Sequence, residues 1–250
     1  MLKTRIIPCL DVIKNKVVKG VNFKNIRVMG NAVEMAKYYS LSGADELCML
    51  DINASYQNRK TFIKTVESIA KVINIPLTVG GGVSDLSDIT DLLNAGADKV
   101  SINSAAVKNP KLIRQASLRH GSQCIVVAID GKRHKNKMKV VIKGGREITK
   151  NELITWAKQV QSLGAGEILM TSMDTDGVQN GFDSNMLKKV TCNVSIPVIA
   201  SGGVGRLEHF YLGHLTKSTG LLAASVFHSR KYKIKTVKKY LSGKGVPVRL

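Results

Sequence analysis

Eight short β-rich runs, each followed by a helical pattern, constrain this chain most. They span residues 5–11, 46–52, 76–79, 99–102, 123–130, 167–173, 197–200 and 221–225. Continuous apolar runs of this kind suit strands buried on both faces of a parallel sheet. Between them the apolar spacing turns helical. Phe62, Ile63, Val66, Ile69 and Ile73 mark one amphipathic helix, Leu86, Ile89 and Leu93 a second, and Leu153, Trp156, Val160 and Leu163 a third. Thr149 and Glu152 stand in capping-box spacing ahead of the third, and Pro110 suits a first helical turn. Eight β/α units in 250 residues predict an α/β fold, a (β/α)8 TIM barrel forming a single domain over residues 1–250. A doubly wound open sheet is the alternative, and the regularity of the eight units favours closure.

The chain also repeats itself. Gly43-Ala44-Asp45-Glu46-Leu47 returns 121 residues later as Gly164-Ala165-Gly166-Glu167-Ile168. Ile75-Pro76-Leu77-Thr78-Val79-Gly80-Gly81-Gly82-Val83 returns as Ile196-Pro197-Val198-Ile199-Ala200-Ser201-Gly202-Gly203-Val204, again 121 residues later. Cys9-Leu10-Asp11 aligns with Ala128-Ile129-Asp130 at an offset of 119. A half-barrel of four units used twice explains this pattern.

Active sites of such barrels lie at the C-terminal ends of the strands. Here those ends carry Asp11, Asp51, Gly80-Gly81-Gly82, Asn103-Ser104, Asp130, Asp174 and Asp176, Ser201-Gly202-Gly203, and Ser225. Taken singly, each is an ordinary capping or turn residue. Asp11 and Asp130 stand apart because they end the first and fifth runs, diametrically opposite in an eight-stranded barrel. Two carboxylates flanking one substrate suit general acid–base work. The Gly-rich stretches let backbone approach a ligand closely and expose N–H groups to a phosphate. Ser201-Gly202-Gly203 with Ala224-Ser225 fall where barrels commonly bind phosphate, and the repeat places a second site at Gly80-Gly81-Gly82 with Asn103-Ser104. Two opposed sites imply a long substrate with a phosphate at each end.

Net charge is +20, which alone points to a polyanionic partner. Residues 132–150 and 230–249 each carry eight basic residues, against one acid, Glu147, so these segments hold +15 of it. Tyr232 and Tyr240 are the only aromatics there, too few for a stacking surface, so a solvated basic face is expected rather than a nucleic-acid groove. Cys9, Cys48, Cys124 and Cys192 are far apart in sequence and read as buried free thiols of a reducing cytoplasm. No closely spaced Cys/His pair or HExxH pattern suggests a metal. No apolar run reaches the roughly 18 residues of a membrane span. The first residues lack the apolar core of a secretion signal, so a cytoplasmic protein is expected.

These residues carry a resemblance to the cyclase subunits of imidazole glycerol phosphate synthase, of the histidine pathway. It covers essentially the whole length. It rests on Arg5-Ile6-Ile7-Pro8-Cys9-Leu10-Asp11-Val12, Val17-Val18-Lys19-Gly20, Asp98-Lys99-Val100-Ser101-Ile102-Asn103 and Val127-Ala128-Ile129-Asp130. Asp176-Gly177, Ile199-Ala200-Ser201-Gly202-Gly203 and Ala223-Ala224-Ser225-Val226-Phe227-His228 complete it. The resemblance implies a lyase without cofactor or metal that takes ammonia from a glutaminase subunit, its heterodimer partner. It closes an imidazole ring on a bisphosphorylated ribulosyl substrate, releasing imidazole glycerol phosphate and aminoimidazole carboxamide ribotide. Asp11 and Asp130 match the family's acid–base pair, one aiding ammonia condensation and loss of water, the other ring closure and cleavage. Lys19 lies in a long loop after the first strand that resembles the family's lid. Gly82, Asn103, Asp176, Gly177, Gly203 and Ser225 match its phosphate-binding positions.

Arg5, Glu46, Lys99 and Glu167 begin strands at the opposite end of the barrel, where two acids and two bases would form a charged ring. A structural ion-pair layer accounts for them, and the resemblance makes them a gate for ammonia, with Asp98 on the face that docks the glutaminase. No Cys nucleophile elbow with a paired His is visible, so a partner or free ammonia must supply the nitrogen. Two stretches depart from the family pattern: 137–145, with Gly144 where a polar residue is common, and Lys217-Ser218-Thr219 in place of a small-residue turn with an acid. A paralogue that only delivers ammonia to a sugar-modifying enzyme would need neither both aspartates nor both phosphate motifs. A nucleic-acid-binding barrel has only the charge in its favour.

Overall fold

Successive parallel strands close on themselves in the computed structural model, which describes residues 3–21, 24–52 and 63–250, with 19–21 and 24–26 by backbone alone. The strands are β1 (Arg5–Ile13), β2 (Lys16–Val21), β3 (Lys24–Asn31), β4 (Leu47–Asp51), β5 (Leu77–Gly80), β6 (Lys99–Ile102), β7 (Ile125–His134), β8 (Lys137–Ile142), β9 (Glu147–Glu152), β10 (Glu167–Ser172), β11 (Val198–Ser201) and β12 (Gly220–Ala223). Strands β1, β4, β5, β6, β7, β10, β11 and β12 pair in parallel in that order. Strand β12 then pairs with β1, Arg5 opposite Gly220, and shuts the barrel. Each of the eight expected runs overlaps one of these strands.

Around the barrel lie α1 (Ala32–Leu41), α2 (Ile63–Ala70), α3 (Leu86–Asn94), α4 (Ser104–Lys108), α5 (Lys111–His120), α6 (Leu153–Ser162), α7 (Ser184–Thr191), α8 (Leu207–His214), α9 (Ser225–His228) and α10 (Ile234–Gly243). Asn31 caps α1 by accepting from Val33 and Glu34 N–H, and Asp85 caps α3 in the same way. The apolar stripes predicted for α2, α3 and α6 face inward through Val66 and Ile69, Ile89, and Leu153, Trp156 and Val160. Each such side chain contributes about 1.5–3 kcal/mol by leaving water. Phe62 lies outside the described residues. Pro110 is the N-cap of α5. The C-terminal helix is tied to the turn before β4 by a buried ion pair, Lys238 Nζ to Asp45 Oδ1 at 2.7 Å. Asp45 Oδ2 in turn accepts from Ile6 N at 2.8 Å.

Four strands lie outside the barrel proper, where loops were expected. After β1 the chain turns back through β2 and β3, and after β7 through β8 and β9. The two turns are Lys14-Asn15 (φ 47° and 64°) and Lys135-Asn136 (φ 45° and 61°), left-handed at both central residues as two-residue hairpins demand. They too are 121 residues apart, so the half-barrel repeat extends to its hairpins. Hairpin pairing also carries β1 to Ile13 and β7 to His134, past Asp11 and Asp130, which therefore sit inside strands rather than at their ends.

The expected capping box is not formed. Strand β9 runs to Glu152, so Thr149 Oγ1 donates to Val140 O across the hairpin and the Glu152 carboxylate goes to Lys137 Nζ at 2.9 Å. The cysteines are free, but only Cys9 and Cys48 are buried; Cys124 is half-buried and Cys192 exposed, because Cys192 follows the last turn of α7 on the outer surface.

Candidate functional site

Strand periodicity places the chemistry. Side chains alternate across a strand, so Arg5, Ile7, Cys9 and Asp11 share one face of β1, and Val126, Ala128 and Asp130 one face of β7. Ile7, Cys9, Cys48, Val126, Leu169, Ile199 and Leu222 form a cluster of their own, with Ala128 against it, distinct from the core between sheet and helices. That cluster fills the barrel interior. Asp11 and Asp130 cap it at the C-terminal end, on strands four places apart in the closed order.

Asp11 is buried, and Cys9 Sγ donates to its Oδ1 at 3.8 Å. The Cys9 carbonyl accepts from His228 Nε2 at 2.9 Å. His228 Nδ1 lies 2.6 Å from the buried Tyr39 hydroxyl, so both ring nitrogens are hydrogen-bonded. Asp130 Oδ2 accepts from Asn103 Nδ2 at 2.9 Å. Burial pushes the Asp130 carboxyl up to about 7, the Asn103 amide pulls it down, and the negative charge of Asp176 adds to the rise. Near neutrality Asp130 therefore exists in both protonation states.

The glycine loops repeat in conformation as well as sequence. Gly81 and Gly202 have φ of 91° and 89°, and Gly82 and Gly203 of 74° and 99°. A Cβ on Gly81 would lie 2.2 Å from Asp51 O, and one on Gly203 2.2 Å from Gly181 O. Strands β6 and β12 each end at an N-cap, Asn103 or Ala224, before the one-turn helices that Ser104 and Ser225 open. Ser104 Oγ accepts from Lys143 N at 3.1 Å, so the turn bearing Gly144 rests against this end of the barrel. Asp176 and Gly177 lie in the loop after β10, beside Gly202. The Asp176 N–H is committed to Ser172 O at 3.0 Å.

Sequence reasoning missed the residue that fastens this loop. Arg133, just past Asp130 on β7, grips Asp183 with both guanidinium nitrogens, at 2.7 and 2.9 Å. It also reaches Asp174 Oδ2, through its backbone N at 2.9 Å and Nη1 at 3.4 Å. Burial alone would raise Asp183; the Arg133 fork and the Met186 N–H more than reverse that and hold it below its ordinary value. Arg133 lies within a basic run whose pattern reads as a solvated face, and nothing in the run distinguishes it from its neighbours.

At the opposite end the four charged residues meet in a closed ring. Arg5 pairs with Glu46 at 2.6 Å and Glu167 at 2.5 Å, and Lys99 with the same two acids at 3.2 and 2.9 Å. Burial acts to lower the Arg5 pKa, and the two carboxylates more than offset it. Both acids are buried, so the ring is a polar floor beneath an apolar lumen. Asp98 is exposed beside it, one carboxylate oxygen accepting from Leu77 N at 2.8 Å. In the departing stretch, Thr219 accepts from Arg5 through both its carbonyl and hydroxyl oxygens. The Lys19 side chain, and so its expected lid role, lies outside the described residues; its backbone is on β2.

Among the described residues no cluster of three or more His, Cys, Asp or Glu is arranged to hold a metal. No helix among them is long and apolar enough to cross a membrane.

The family model described as "Histidine biosynthesis protein" matches residues 5–233. The chain is 51% identical over 253 residues to "Imidazole glycerol phosphate synthase subunit HisF" of Clostridium botulinum (strain Okra / Type B1), covering 100% of both chains. The HisF proteins of the Kyoto / Type A2 and 657 / Type Ba4 strains are also 51% identical over the full length of both chains. Family model and full-length relatives agree with each other, and the chain belongs to the histidine biosynthesis protein family, among the HisF subunits of imidazole glycerol phosphate synthase.

Proposed function

We propose that this chain is the ammonia-using cyclase of imidazole glycerol phosphate synthase, a lyase that works with a glutaminase subunit. The observation that carries the reading is one line of residues through the barrel. A ring of Arg5, Glu46, Lys99 and Glu167 closes the floor, an apolar lumen follows, and Asp11 and Asp130 stand at its far end. Ammonia is small and uncharged, so it passes an apolar lumen that excludes ammonium, and the floor ring is where admission from a partner would be controlled. From Arg5 to Asp11 is about 20 Å along the strand, at roughly 3.3 Å per residue.

At the mouth, the loops at Gly82, Asn103 and Ser104 and at Gly177, Gly202, Gly203, Ala224 and Ser225 would hold the two phosphates of the ribulosyl substrate. Its reacting carbonyl would then span the space between the two aspartates. Ammonia adds to that carbonyl and water leaves. Asp130, still partly protonated near neutrality, is suited to give its proton to the departing oxygen. Asp11, on the opposite strand, would serve the ring closure and cleavage that release imidazole glycerol phosphate and aminoimidazole carboxamide ribotide.

The test is turnover of the bisphosphorylated ribulosyl substrate with ammonium, with and without the glutaminase. Activity is expected in both, and none with ammonium would overturn the reading. Asp11→Asn and Asp130→Asn should each lower the rate at least ~10²-fold.

A further inference from the structure

The lysine-rich segment after β7 is only partly absorbed by this site. On its outer side, the β7–β8 hairpin, the end of β9, the start of α6 and the Asn185–Lys189 side of α7 wall a cavity of about 660 Å3. That volume falls within the range of small-ligand sites. Arg133, His134, Lys135, Lys137 and Lys189 line it, and Glu152 is the single acid in the wall.

The charges there do not cancel. Lys137 is neutralised by Glu152 at 2.9 Å, and Arg133 is engaged by Asp174 and Asp183. Lys135 and Lys189 are exposed, and neither has a carboxylate partner among the described residues. Two lysines without a carboxylate partner therefore line one concave space together with a histidine and Arg133. The left-handed turn at Lys135-Asn136 fixes where Lys135 stands, so the arrangement belongs to the hairpin itself.

We propose that this cavity is a second anion site, separate from the catalytic mouth, which takes a small multivalent phosphate compound. Occupation also reaches the mouth through Arg133, which both lines the cavity and holds the loop carrying Asp176 and Gly177. An anion in the cavity competes for the guanidinium with Asp174, its more distant side-chain partner at 3.4 Å, and leaves Asp174 only the Arg133 backbone N–H at 2.9 Å. The loop loosens, and the bisphosphorylated substrate binds less tightly. This kinetic half rests on the cyclase reading; the binding half does not.

Inorganic pyrophosphate is the probe, titrated calorimetrically at low ionic strength into the full chain and into a Lys135→Asn, Lys189→Gln variant. Asn tolerates the left-handed backbone at position 135, and both side chains are exposed, so folding and unperturbed turnover should be unchanged. Wild type is expected to bind one equivalent of pyrophosphate more than the variant, and that equivalent should weaken at least ~10-fold as salt screens it. Identical isotherms in the two proteins overturn the site. In turnover with ammonium, pyrophosphate should raise the wild-type KM several-fold beyond its effect on the variant, with kcat little changed. An extra equivalent without that difference overturns the coupling through Arg133. Failure of the cyclase reading is distinguishable, since wild type would then show no turnover at all.

Discussion

Asn103 donates its side-chain amide to Asp130 Oδ2 at 2.9 Å, so the end of β6 favours the charged form of the β7 carboxylate and partly offsets burial and the charge of Asp176, which still leave it near 7. Removing the donor should let the Asp130 pKa climb above about 7. If Asp130 is the proton donor, kcat falls as pH rises through that pKa. Asn103→Leu should move the fall upward by on the order of 1 pH unit. A pH profile of kcat at saturating substrate reads this directly. An unmoved alkaline limb would show that Asp130 does not set it.

The same carboxylate sets a stability prediction of definite sign. Its folded pKa, about 7, lies above its ordinary 3.8. Between those values the folded chain binds the extra proton, so wild-type stability declines as pH rises through the window and stays at the lower level above it. Asp130→Asn removes the ionisation while its amide oxygen still accepts from Asn103. The variant should gain stability over wild type progressively above pH ~4, levelling off above ~7 at no more than about 4 kcal/mol. Paired denaturant melts at pH 5 and pH 8 test it, and an equal difference at both refutes the buried charge.

The barrel is legible in the sequence because each strand is buried on both faces and writes itself as an apolar run. The half-barrel repeat, at offsets of 119 and 121 residues, likewise singles out Asp11, Asp130 and the two glycine loops from the sequence alone. The hairpins β2–β3 and β8–β9 are not legible by that signal. They project from the barrel, so β9 alternates exposed and half-buried residues under a polar sequence. The repeated Lys-Asn turn is the available cue. Arg133 and Asp183 are 50 residues apart, and their pairing follows only from the adjacency of β7 and β10. The floor ring lies between: its four members are strand-start charges, but their closure depends on barrel curvature.

Breaking the floor ring should separate structure from supply. Arg5→Ala leaves Glu46 and Glu167, both buried, to share Lys99 alone. An uncompensated buried carboxylate costs about 3 kcal/mol, or roughly 6–12 °C in Tm for a chain of this size. With the glutaminase bound, glutamine-dependent turnover should fall more than ammonium-dependent turnover, because ammonium in bulk does not need a controlled floor. A ratio of the two rates equal to wild type would remove the ring from ammonia transfer and leave it a structural layer.

Gly203 and Gly245 separate backbone preference from close approach. Both are left-handed, at φ of 99° and 76°. A Cβ on Gly245 meets nothing within 4 Å, so Gly245→Ala bears only the backbone penalty, about 1 kcal/mol. A Cβ on Gly203 would stand 2.2 Å from Gly181 O, where the Gly181 N–H also donates to Gly203 O at 2.7 Å. Gly203→Ala must therefore push apart two loops of the mouth, one of them carrying Asp176 and Gly177. It should cost at least ~2 kcal/mol more than Gly245→Ala. It should also raise KM for the bisphosphorylated substrate at least ~10-fold, while Gly245→Ala leaves KM unchanged. Chemical melts and steady-state kinetics on the two variants decide it; equal costs would mean that the loops at Gly203 and Gly181 yield without strain.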